Sequence, residues 1–466
     1  MSTEKVTINA CQGWGCHEHC MLETHTVDGK IVRTQRLPLP GPKPDNGICA
    51  KGIMAAKIPY AEDRVLHPLK RVGERGEGKF EQISWDQALD EIAEKLLEIK
   101  DKYGEQSVIL NEFWCGYPGD YRSLQNSLIF RFAHTFGASI IEYADVDDAP
   151  SYMFMVDYGV YSTTDNKQLT KSNNEIIVWG GNPLGFTRPT VTSRMLLDAQ
   201  ERGAKLVHIS NMFDNTSAKA DQWVPAKSGT DAALALAMAN YIVQAGEVDE
   251  QYLIDHSVGP FLVRSDNGMF LRESDIKADG NPYAYVYIDA NSNEPSVIMP
   301  RAEFPTDPVL NVEAEVSGIA CKSAYRVLVE KLSEWTPEKQ EEITGVPAAT
   351  CIQLIRDYLD NRPSTIYIYY GFRYRNGGQT ARAIDLLPIL SGNLGMPGGR
   401  FIVSGSADTS TKYTVMNDGP IYFPYGFEGL KGDHIPMQKV LDSFEDPSVQ
   451  QYKAWLNPMG NPILNW

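Results

Sequence analysis

A chain of 466 residues is too long for one compact core, and its length predicts roughly two to four domains. With 42% hydrophobic and 22% charged residues it has the composition of a soluble globular protein, and no apolar run is long enough to span a membrane. The net charge of -17 at pH 7 argues against nucleic acid as a partner, because binding to a polyanion depends on Lys and Arg.

The N-terminal residues and the cysteine count predict a reducing compartment. The start, MSTEKVTINAC, has neither the apolar core of a signal peptide nor a twin-arginine pair, so a cytoplasmic location is expected, with membrane association only through partners. Seven cysteines is an odd number, and disulfides are disfavoured in reducing compartments. Clustered cysteines are therefore interpreted first as metal ligands.

The first candidate metal site consists of four cysteines. Cys11, Cys16 and Cys20 lie within ACQGWGCHEHCML, and Cys49 follows in GICAKG. Four thiolates suit either tetrahedral zinc or an iron-sulfur cubane. Structural zinc usually uses two C-x2-C-like pairs, so an arrangement of three plus one favours the cubane, with zinc as the alternative.

The region up to about residue 60 is rich in turns and predicts a small domain that a metal centre holds together. Within it, Asp28-Gly29 lies between alternating apolar positions and predicts a hairpin turn. Lys51, two residues after Cys49, is a cation that could tune an anionic cluster and connect it to a neighbouring cofactor.

The segment GERGEGK has the glycine and lysine spacing of a phosphate loop, but Phe80 replaces the Ser or Thr that binds magnesium, so a charged hairpin tip is predicted. The next segment predicts a helix, because Ser84 and Gln87 form a capping box, apolar residues recur at helical spacing, and Gly104 ends the pattern.

The rest of the chain alternates short β-rich runs with amphipathic helices, which predicts an α/β class with parallel sheets flanked by helices. The predicted elements are, in order, the strands SVIL and EIIVWGG, a helix near 189–203, the strand AKLVHIS, the helix TDAALALAMANYIVQ, the strand TIYIYYG and the helix TARAIDLLPILSG. Ligands of open α/β sheets bind at the carboxyl ends of strands. Residues 262–310 predict an irregular surface excursion.

Several segments in order carry a resemblance to a known family. CQGWGCHEHC with GICAKG, then DRVLHPLKRVGERGEGKFEQISWDQALDEIAEKL, YGVYS, VWGGNPLGFTRP, ADQWVPAKSGTDAALALA and YYGFRYRNGGQTARAIDLLPILSGNLGMPGG resemble the molybdopterin oxidoreductases of the dimethyl sulfoxide reductase superfamily. The likeness is greatest to the branch of anaerobic dimethyl sulfoxide reductase catalytic subunits. It covers nearly the whole chain.

The resemblance implies the cofactors: a 4Fe-4S cluster on the four cysteines, Lys51 as the electron relay, and molybdenum or tungsten held by bis(molybdopterin guanine dinucleotide). Ser162 in DYGVYSTTD matches the serine that binds molybdenum, and an ordinary turn serine is the alternative. An alkoxide is a hard donor that suits an oxophilic metal. If Ser162 is not the ligand, the candidates are Tyr161, Thr163 and Asp165.

The nucleotide contacts are likewise implied by the resemblance. Gly180, Gly181 and Asn182 follow a strand where backbone amides can approach a pyrophosphate. The segment SGTDAAL resembles the guanine-binding motif of the family, with the residues Gly229, Thr230 and Asp231. A helix N-cap is the alternative role of Thr230 and Asp231. The chain departs from the family at Ser210, which stands where an aspartate would hold the ribose.

The expected reaction is oxygen-atom transfer that reduces an S-oxide or N-oxide, with electrons delivered through the cluster. Trp114 and Tyr117 are candidates for the substrate side of the catalytic site, and core packing is their alternative role. Three alternatives stay open: a hydratase, transhydroxylase or dehydroxylase; an electron-transfer or scaffold subunit without the metal cofactor; and a zinc-stabilised binding protein.

The expected domains are an iron-sulfur domain at 1–60 with 420–466 packed nearby, an α/β domain of 61–145 plus 365–419, and a pterin-binding α/β domain at 146–364. The chain stops where the family continues into a C-terminal cofactor-covering domain, which predicts either a truncated or split catalytic subunit or a protein that works with an incomplete cofactor set. Expected partners are an iron-sulfur electron-transfer subunit, a membrane-anchor subunit, a separate chain that supplies the C-terminal half, and a small-molecule substrate.

Overall fold

The structure, a computed structural model, describes residues 4–10, 20–37, 47–111, 132–133, 135–141, 174–185, 191–300, 302–369, 371, 376–396 and 398–403. The chain divides into two compact units. We call the first the N-terminal unit, and it comprises Met1–Asp148, Pro183–Arg194 and Ala407–Trp466. We call the second the sheet unit, and it comprises Ala149–Asn182 and Met195–Ser406.

The N-terminal unit contains short sheets and one long helix. Its elements up to residue 141 are β1 Glu4–Ala10, β2 Met21–Val27, β3 Lys30–Arg36, α1 Ala50–Met54, β4 Leu69–Arg71, β5 Phe80–Gln82, α2 Trp85–Tyr103, β6 Ile109–Asn111 and β7 Ser139–Ile141. Strands β1, β2 and β3 form an antiparallel sheet, β4 pairs with β5 in antiparallel fashion, and β6 pairs with β7 in parallel fashion.

Three local predictions are confirmed in this unit. Asp28 (φ 48°) and Gly29 (φ 80°) form the left-handed turn between β2 and β3. GERGEGK is the tip of the β4–β5 hairpin. Helix α2 begins after Ser84, whose hydroxyl accepts a hydrogen bond from the Gln87 N–H at 3.1 Å.

The remaining elements of the chain start at residue 175. They are β8 Glu175–Trp179, α3 Val191–Glu201, β9 Lys205–Ile209, β10 Gln222–Val224, α4 Asp231–Gln244, α5 Glu250–His256, β11 Leu262–Arg264, α6 Glu273–Ile276, β12 Tyr285–Ile288, β13 Pro295–Ile298, β14 Glu313–Val316, β15 Ile319–Ser323, α7 Ala324–Leu332, α8 Pro337–Thr344, α9 Ala348–Asp360, β16 Ser364–Ile368, α10 Gly377–Leu390 and β17 Arg400–Val403.

The core of the sheet unit is a five-stranded parallel sheet in the order β10-β9-β8-β16-β17. Every residue of β8 and of β16 is buried, as expected for parallel strands that are covered on both faces. Ile177, Ile366 and their neighbours pack against α4, α9 and α10 on one face, and Ile176, Tyr367 and their neighbours pack against Leu196 of α3 on the other. The predicted α/β class is confirmed.

Two findings differ from the sequence expectations. Strands β16 and β17 hydrogen-bond in the same sheet as β8, whereas residues 365–419 were grouped with 61–145. Residues 262–310 contain short regular elements between their loops: β11 pairs with β15, β12 pairs with β13, and a small apolar core includes Leu262 and Val286. The predicted domain boundaries stay predictions.

A search of the described residues finds no helix that is both long and apolar enough to cross a membrane.

Candidate functional site

The strand order of the sheet reverses its direction at β8. From β8 the chain adds β9 and β10 on one side, and it later adds β16 and β17 on the other side. Such a reversal leaves a crevice beyond the carboxyl ends of the strands, which is where open α/β sheets bind ligands. Strand β8 ends at Trp179, and β16 ends at Ile368. A ligand site is therefore expected at the segments that follow these two strands.

The two segments approach each other closely. The Tyr369 N–H donates to the Trp179 carbonyl at 2.8 Å, and the Gly371 N–H donates to the Gly180 carbonyl at 2.8 Å. A Cβ atom at Gly181 would overlap the Tyr369 side chain, and one at Gly371 would overlap the Gly180 backbone. Glycine is required at both positions because the two segments pack against each other without space for a Cβ atom.

The loop Gly180-Gly181-Asn182 presents main-chain donors at this edge. The Gly180 N–H donates a hydrogen bond of 2.9 Å to the Ile209 carbonyl. The N–H groups of Gly181 and Asn182 donate no hydrogen bond within the described part of the chain, and both residues are half-buried. Two adjacent N–H groups on a glycine-rich loop can bind an anionic oxygen.

A half-buried carboxylate lies on the same edge. Asp231 is the first residue of α4, and its Oδ1 accepts a hydrogen bond of 2.9 Å from the indole N–H of Trp179. Burial raises the pKa of Asp231, and the hydrogen bond from Trp179 opposes that rise. A carboxylate has about four acceptor positions, so the bond from Trp179 leaves capacity for a ligand.

The residues before Asp231 shape the start of α4. Gly229 is exposed and has a left-handed backbone (φ 74°). Thr230 occupies the N-cap position, but its hydroxyl donates to the Lys227 carbonyl at 2.6 Å instead of capping the helix. Ser228, also exposed, accepts a hydrogen bond of 2.7 Å from the side chain of Asn211. The segment 227–231 is thus tied to the loop that follows β9.

Ser210, at the aspartate position of the family, lies directly after β9. Its hydroxyl accepts a hydrogen bond of 3.3 Å from the Met212 N–H, and its carbonyl accepts one of 3.1 Å from the Trp223 indole. The side chain is therefore engaged with its own loop. A serine also lacks the charge with which an aspartate holds a ribose.

Three residues that shape this edge were not predicted from the sequence: Tyr369, Thr216 and His208. Thr216 donates hydrogen bonds from both its N–H and its hydroxyl to the Asn182 side chain. His208 is completely buried in β9 and bonds the Gly181 carbonyl at 2.7 Å. A sequence signal for His208 existed, because a histidine interrupts the otherwise apolar strand KLVHI.

The other predicted site residues lie in the N-terminal unit or outside the described residues. Cys20 is buried immediately before β2, and Cys49 is the N-cap residue of α1, which also contains Lys51. The Thr34 hydroxyl on β3 donates to the Gly52 carbonyl in α1 at 2.6 Å, so the elements that follow the two cysteines meet at β3.

The remaining candidates lie outside the described residues: Cys11, Cys16, Trp114, Tyr117 and Ser162. Within the described ranges no three metal-ligating side chains form a group, and only two of the four predicted cysteine ligands fall within them. Iron-sulfur ligation therefore stays a prediction.

Comparison with known proteins identifies the family. A sequence profile described as Molybdopterin oxidoreductase matches residues 64–462. The chain belongs to the molybdopterin oxidoreductase family. The resemblance inferred from the motifs is thereby confirmed at the level of the family.

Individual relatives have several different activities. The chain is 27% identical to the alpha subunit of dimethylsulfide dehydrogenase from Rhodovulum sulfidophilum, over 82% of this chain and 43% of that protein. It is 30% identical to the dimethyl sulfoxide reductase DmsA of Haemophilus influenzae, over 85% and 45%. The structure matches acetylene hydratase from Pelobacter acetylenicus with a TM-score of 0.57 and 25% identity, over 83% and 44%. The chain spans less than half the length of each.

Proposed function

We propose that this chain binds a molybdenum or tungsten bis(molybdopterin guanine dinucleotide) and takes part in oxygen-atom transfer that reduces an S-oxide or N-oxide. The observation that carries the proposal is the carboxyl edge of the sheet at β8 and β16, where the Gly181 backbone and the half-buried Asp231 carboxylate both lie. In a member of the molybdopterin oxidoreductase family, this edge is suited to the guanine dinucleotide end of the cofactor.

The residues at the edge fit a guanine nucleotide in hydrogen-bonding capacity. The N–H groups of Gly181 and Asn182, which donate no hydrogen bond within the described part of the chain, would bind pyrophosphate oxygens. Asp231 would accept hydrogen bonds from the N1 and N2 positions of guanine. Trp179 would keep this carboxylate oriented and ionised, since it donates to Oδ1.

The N-terminal unit would hold the cluster. Cys20 and Cys49 would be two of its four thiolate ligands, together with Cys11 and Cys16, and Lys51 would lie on the path of electrons to the pterin. The positions of Cys20 before β2 and Cys49 before α1, on elements that meet at β3, are compatible with a shared centre. Ser162 would supply the hard oxygen ligand to molybdenum or tungsten.

When bound, the metal and its pterins supply the two-electron oxygen-atom chemistry. The chain's own contribution is to bind and orient the cofactor at its nucleotide end, to exclude water from that end, and to position the substrate. Trp114 and Tyr117 are proposed for the substrate side. Electrons would come from an iron-sulfur partner subunit, which a membrane-anchor subunit could attach to a membrane, and a second chain could supply the remaining half of the cofactor cover.

A hydratase is a second candidate because of a specific observation: the matching solved structure is an acetylene hydratase. The chemistry in that case adds water and needs no net electron delivery. The third candidate, an electron-transfer or scaffold subunit without the metal cofactor, would have no use for a nucleotide edge. The presence of that edge favours the two catalytic candidates.

The test is the cofactor content of the full chain, purified without air. We expect about four irons and four sulfides per chain, with molybdenum or tungsten, and guanine nucleotide released by acid. Reduction of dimethyl sulfoxide or trimethylamine N-oxide by a reduced dye is then measured against hydration of acetylene without a reductant. Iron without guanine nucleotide would support the electron-transfer role instead, and zinc in place of iron would contradict the cluster.

A further inference from the structure

We propose that His208 is a positioning residue that turns the Asn182 N–H toward the bound pyrophosphate by holding the Gly181 carbonyl in the interior of the sheet unit. The inference rests on the proposed dinucleotide site. It assigns a role to a residue that belongs to none of the predicted contacts.

The ring of His208 has both nitrogens engaged. The side chain is completely buried, Nε2 lies 2.7 Å from the Gly181 carbonyl, and Nδ1 lies 2.8 Å from the Ser217 hydroxyl. A carbonyl oxygen can only accept a hydrogen bond, so Nε2 carries a proton and its N–H donates the hydrogen bond. Burial lowers the pKa of His208, while the hydrogen bond to the Gly181 carbonyl and the charge of Asp214 oppose that shift. The Ser217 hydroxyl beside Nδ1 also lies 3.1 Å from the Met212 carbonyl.

Because the peptide bond is planar, the contact of the Gly181 carbonyl determines where the Asn182 N–H points. In a planar trans peptide the C=O and the following N–H point in opposite directions. The peptide between Gly181 and Asn182 is trans, since the one cis bond in the described residues precedes Pro363. A Gly181 carbonyl that points at the buried ring therefore directs the Asn182 N–H away from it. That N–H has no acceptor within the described part of the chain.

His208 also ties this loop to the loop that follows β9. Its second partner, Ser217, lies in the turn that the Asp214 carboxylate organises by accepting from the N–H groups of Thr216 (2.9 Å) and Ser217 (3.0 Å). Thr216 in turn donates to the Asn182 side chain at 2.8 Å. The main chain of this region is thus fixed by His208 in β9, and the Asn182 side chain is fixed by Thr216 in the loop that follows β9.

Two substitutions of nearly equal polarity separate the two contacts of the ring. The amide nitrogen of glutamine reaches about as far from the main chain as Nε2, whereas that of asparagine reaches only as far as Nδ1. His208→Gln therefore keeps a donor for the Gly181 carbonyl, and His208→Asn loses it. His256→Gln, at the exposed end of α5, is the matched control.

The measurement is the dissociation constant of GDP for the full chain prepared without cofactor, by calorimetric titration, together with the free energy of unfolding. We expect His208→Gln and the control to stay within about twofold of wild type, and His208→Asn to bind on the order of tenfold more weakly, as for one lost hydrogen bond. Equal weakening by Gln and Asn, or binding that only follows stability, would overturn the assignment. A wild-type chain that binds no GDP would overturn the proposed function and this inference together.

A measurement on the wild type keeps the proposal testable if His208→Asn does not fold. In a chain with 15N-labelled histidine, the Nε2–H resonance of His208 is identified by its loss in His208→Gln. We expect GDP to shift this resonance, since its acceptor carbonyl belongs to the peptide that binds the pyrophosphate. A resonance that GDP leaves unchanged, in a chain that binds GDP, would refute the role of His208 and leave the nucleotide site intact.

Discussion

The indole N–H of Trp179, at the end of β8, donates a hydrogen bond of 2.9 Å to Oδ1 of Asp231, the first residue of α4. The bond joins the last residue of a central strand to the start of the helix that covers it. It also stabilises the charged form of a carboxylate whose pKa burial raises. The strand and the candidate guanine contact are therefore coupled electrostatically as well as by packing.

Trp179→Phe should raise the pKa of Asp231 further, because it removes a donor to the ionised form. The affinity for GDP, which needs the carboxylate, should then be half lost at a higher pH than in the wild type. The measurement is the GDP dissociation constant as a function of pH. At high pH, where Asp231 is ionised in both proteins, the remaining difference reports the packing defect alone.

Trp335→Phe is the control for this substitution, since Trp335 lies in the same unit and outside the site edge. It should leave the pH dependence of GDP affinity unchanged. Identical pH dependences for wild type and Trp179→Phe would contradict the electrostatic role of the indole.

Gly181→Ala should lower the free energy of unfolding by about 1–3 kcal/mol, because the added methyl group overlaps the Tyr369 side chain. In a Tyr369→Ala background the same substitution should cost much less, since the space is then open. Denaturant unfolding of the two single variants and the double variant gives the coupling free energy. Additive effects would mean that the tight contact does not limit this position.

The sequence predicted the elements whose causes are local. The turn at Asp28 and Gly29 needs a left-handed backbone, and the start of α2 needs a hydroxyl acceptor at Ser84; both requirements are met by neighbouring residues. The buried strand β8 was likewise evident from its apolar run. The Asp231 position followed from the family motif, although its bond to Trp179 did not.

The relationships that the sequence missed join residues far apart along the chain. Strand β16 pairs with β8, and Gly181 meets Tyr369, because of a strand order that no local pattern specifies. For the same reason the pairing of β16 with β8 was not predicted, and residues 365–419 were grouped with 61–145. The role of His208 depends on this order too, since a histidine in a strand has no evident function until the loop beside it is known.

Glu175, at the start of β8, should make the stability of the sheet unit depend on pH. Its side chain is completely buried, neither carboxylate oxygen has a hydrogen-bond partner among the described residues, and Lys205 Nζ lies 3.8 Å away. Burial raises the pKa of Glu175 from 4.5 to about 7. Between these two pKa values the Glu175 carboxyl is thus protonated in the folded state and ionised in the unfolded state.

The sign follows from this difference. The protonated form favours folding, so the contribution is fully present below pH 4.5 and is lost as the pH rises to about 7. A shift of this size corresponds to about 3 kcal/mol. Glu175→Gln should remove this pH dependence and be more stable than the wild type at pH 8, as measured by denaturant unfolding across this range.

Glu330→Gln provides the opposite sign as a control. The hydrogen bond from Lys322 lowers the pKa of Glu330, so its contribution is present above the ordinary pKa and is lost as the pH falls. Between pH 4.5 and 7 the free energy of unfolding should fall more in the wild type than in Glu175→Gln. An equal fall in the two proteins would contradict the assignment of Glu175 as a buried acid.

The cysteines of the N-terminal unit provide the final prediction, in which the chain contains its own control. Cys49→Ala removes the proposed ligand at the start of α1 and should lower the iron content from about four per chain to less than about one, with loss of the broad visible absorbance of the cluster. Cys351→Ala alters a thiol buried in α9 of the sheet unit, where burial raises the pKa to about 12, so no thiolate is present to bind metal. Its iron content should equal that of the wild type. If both variants contain as much iron as the wild type, Cys49 is excluded as a ligand. If both variants lose iron to the same extent, the cluster depends on folding of the whole chain and not on this thiolate.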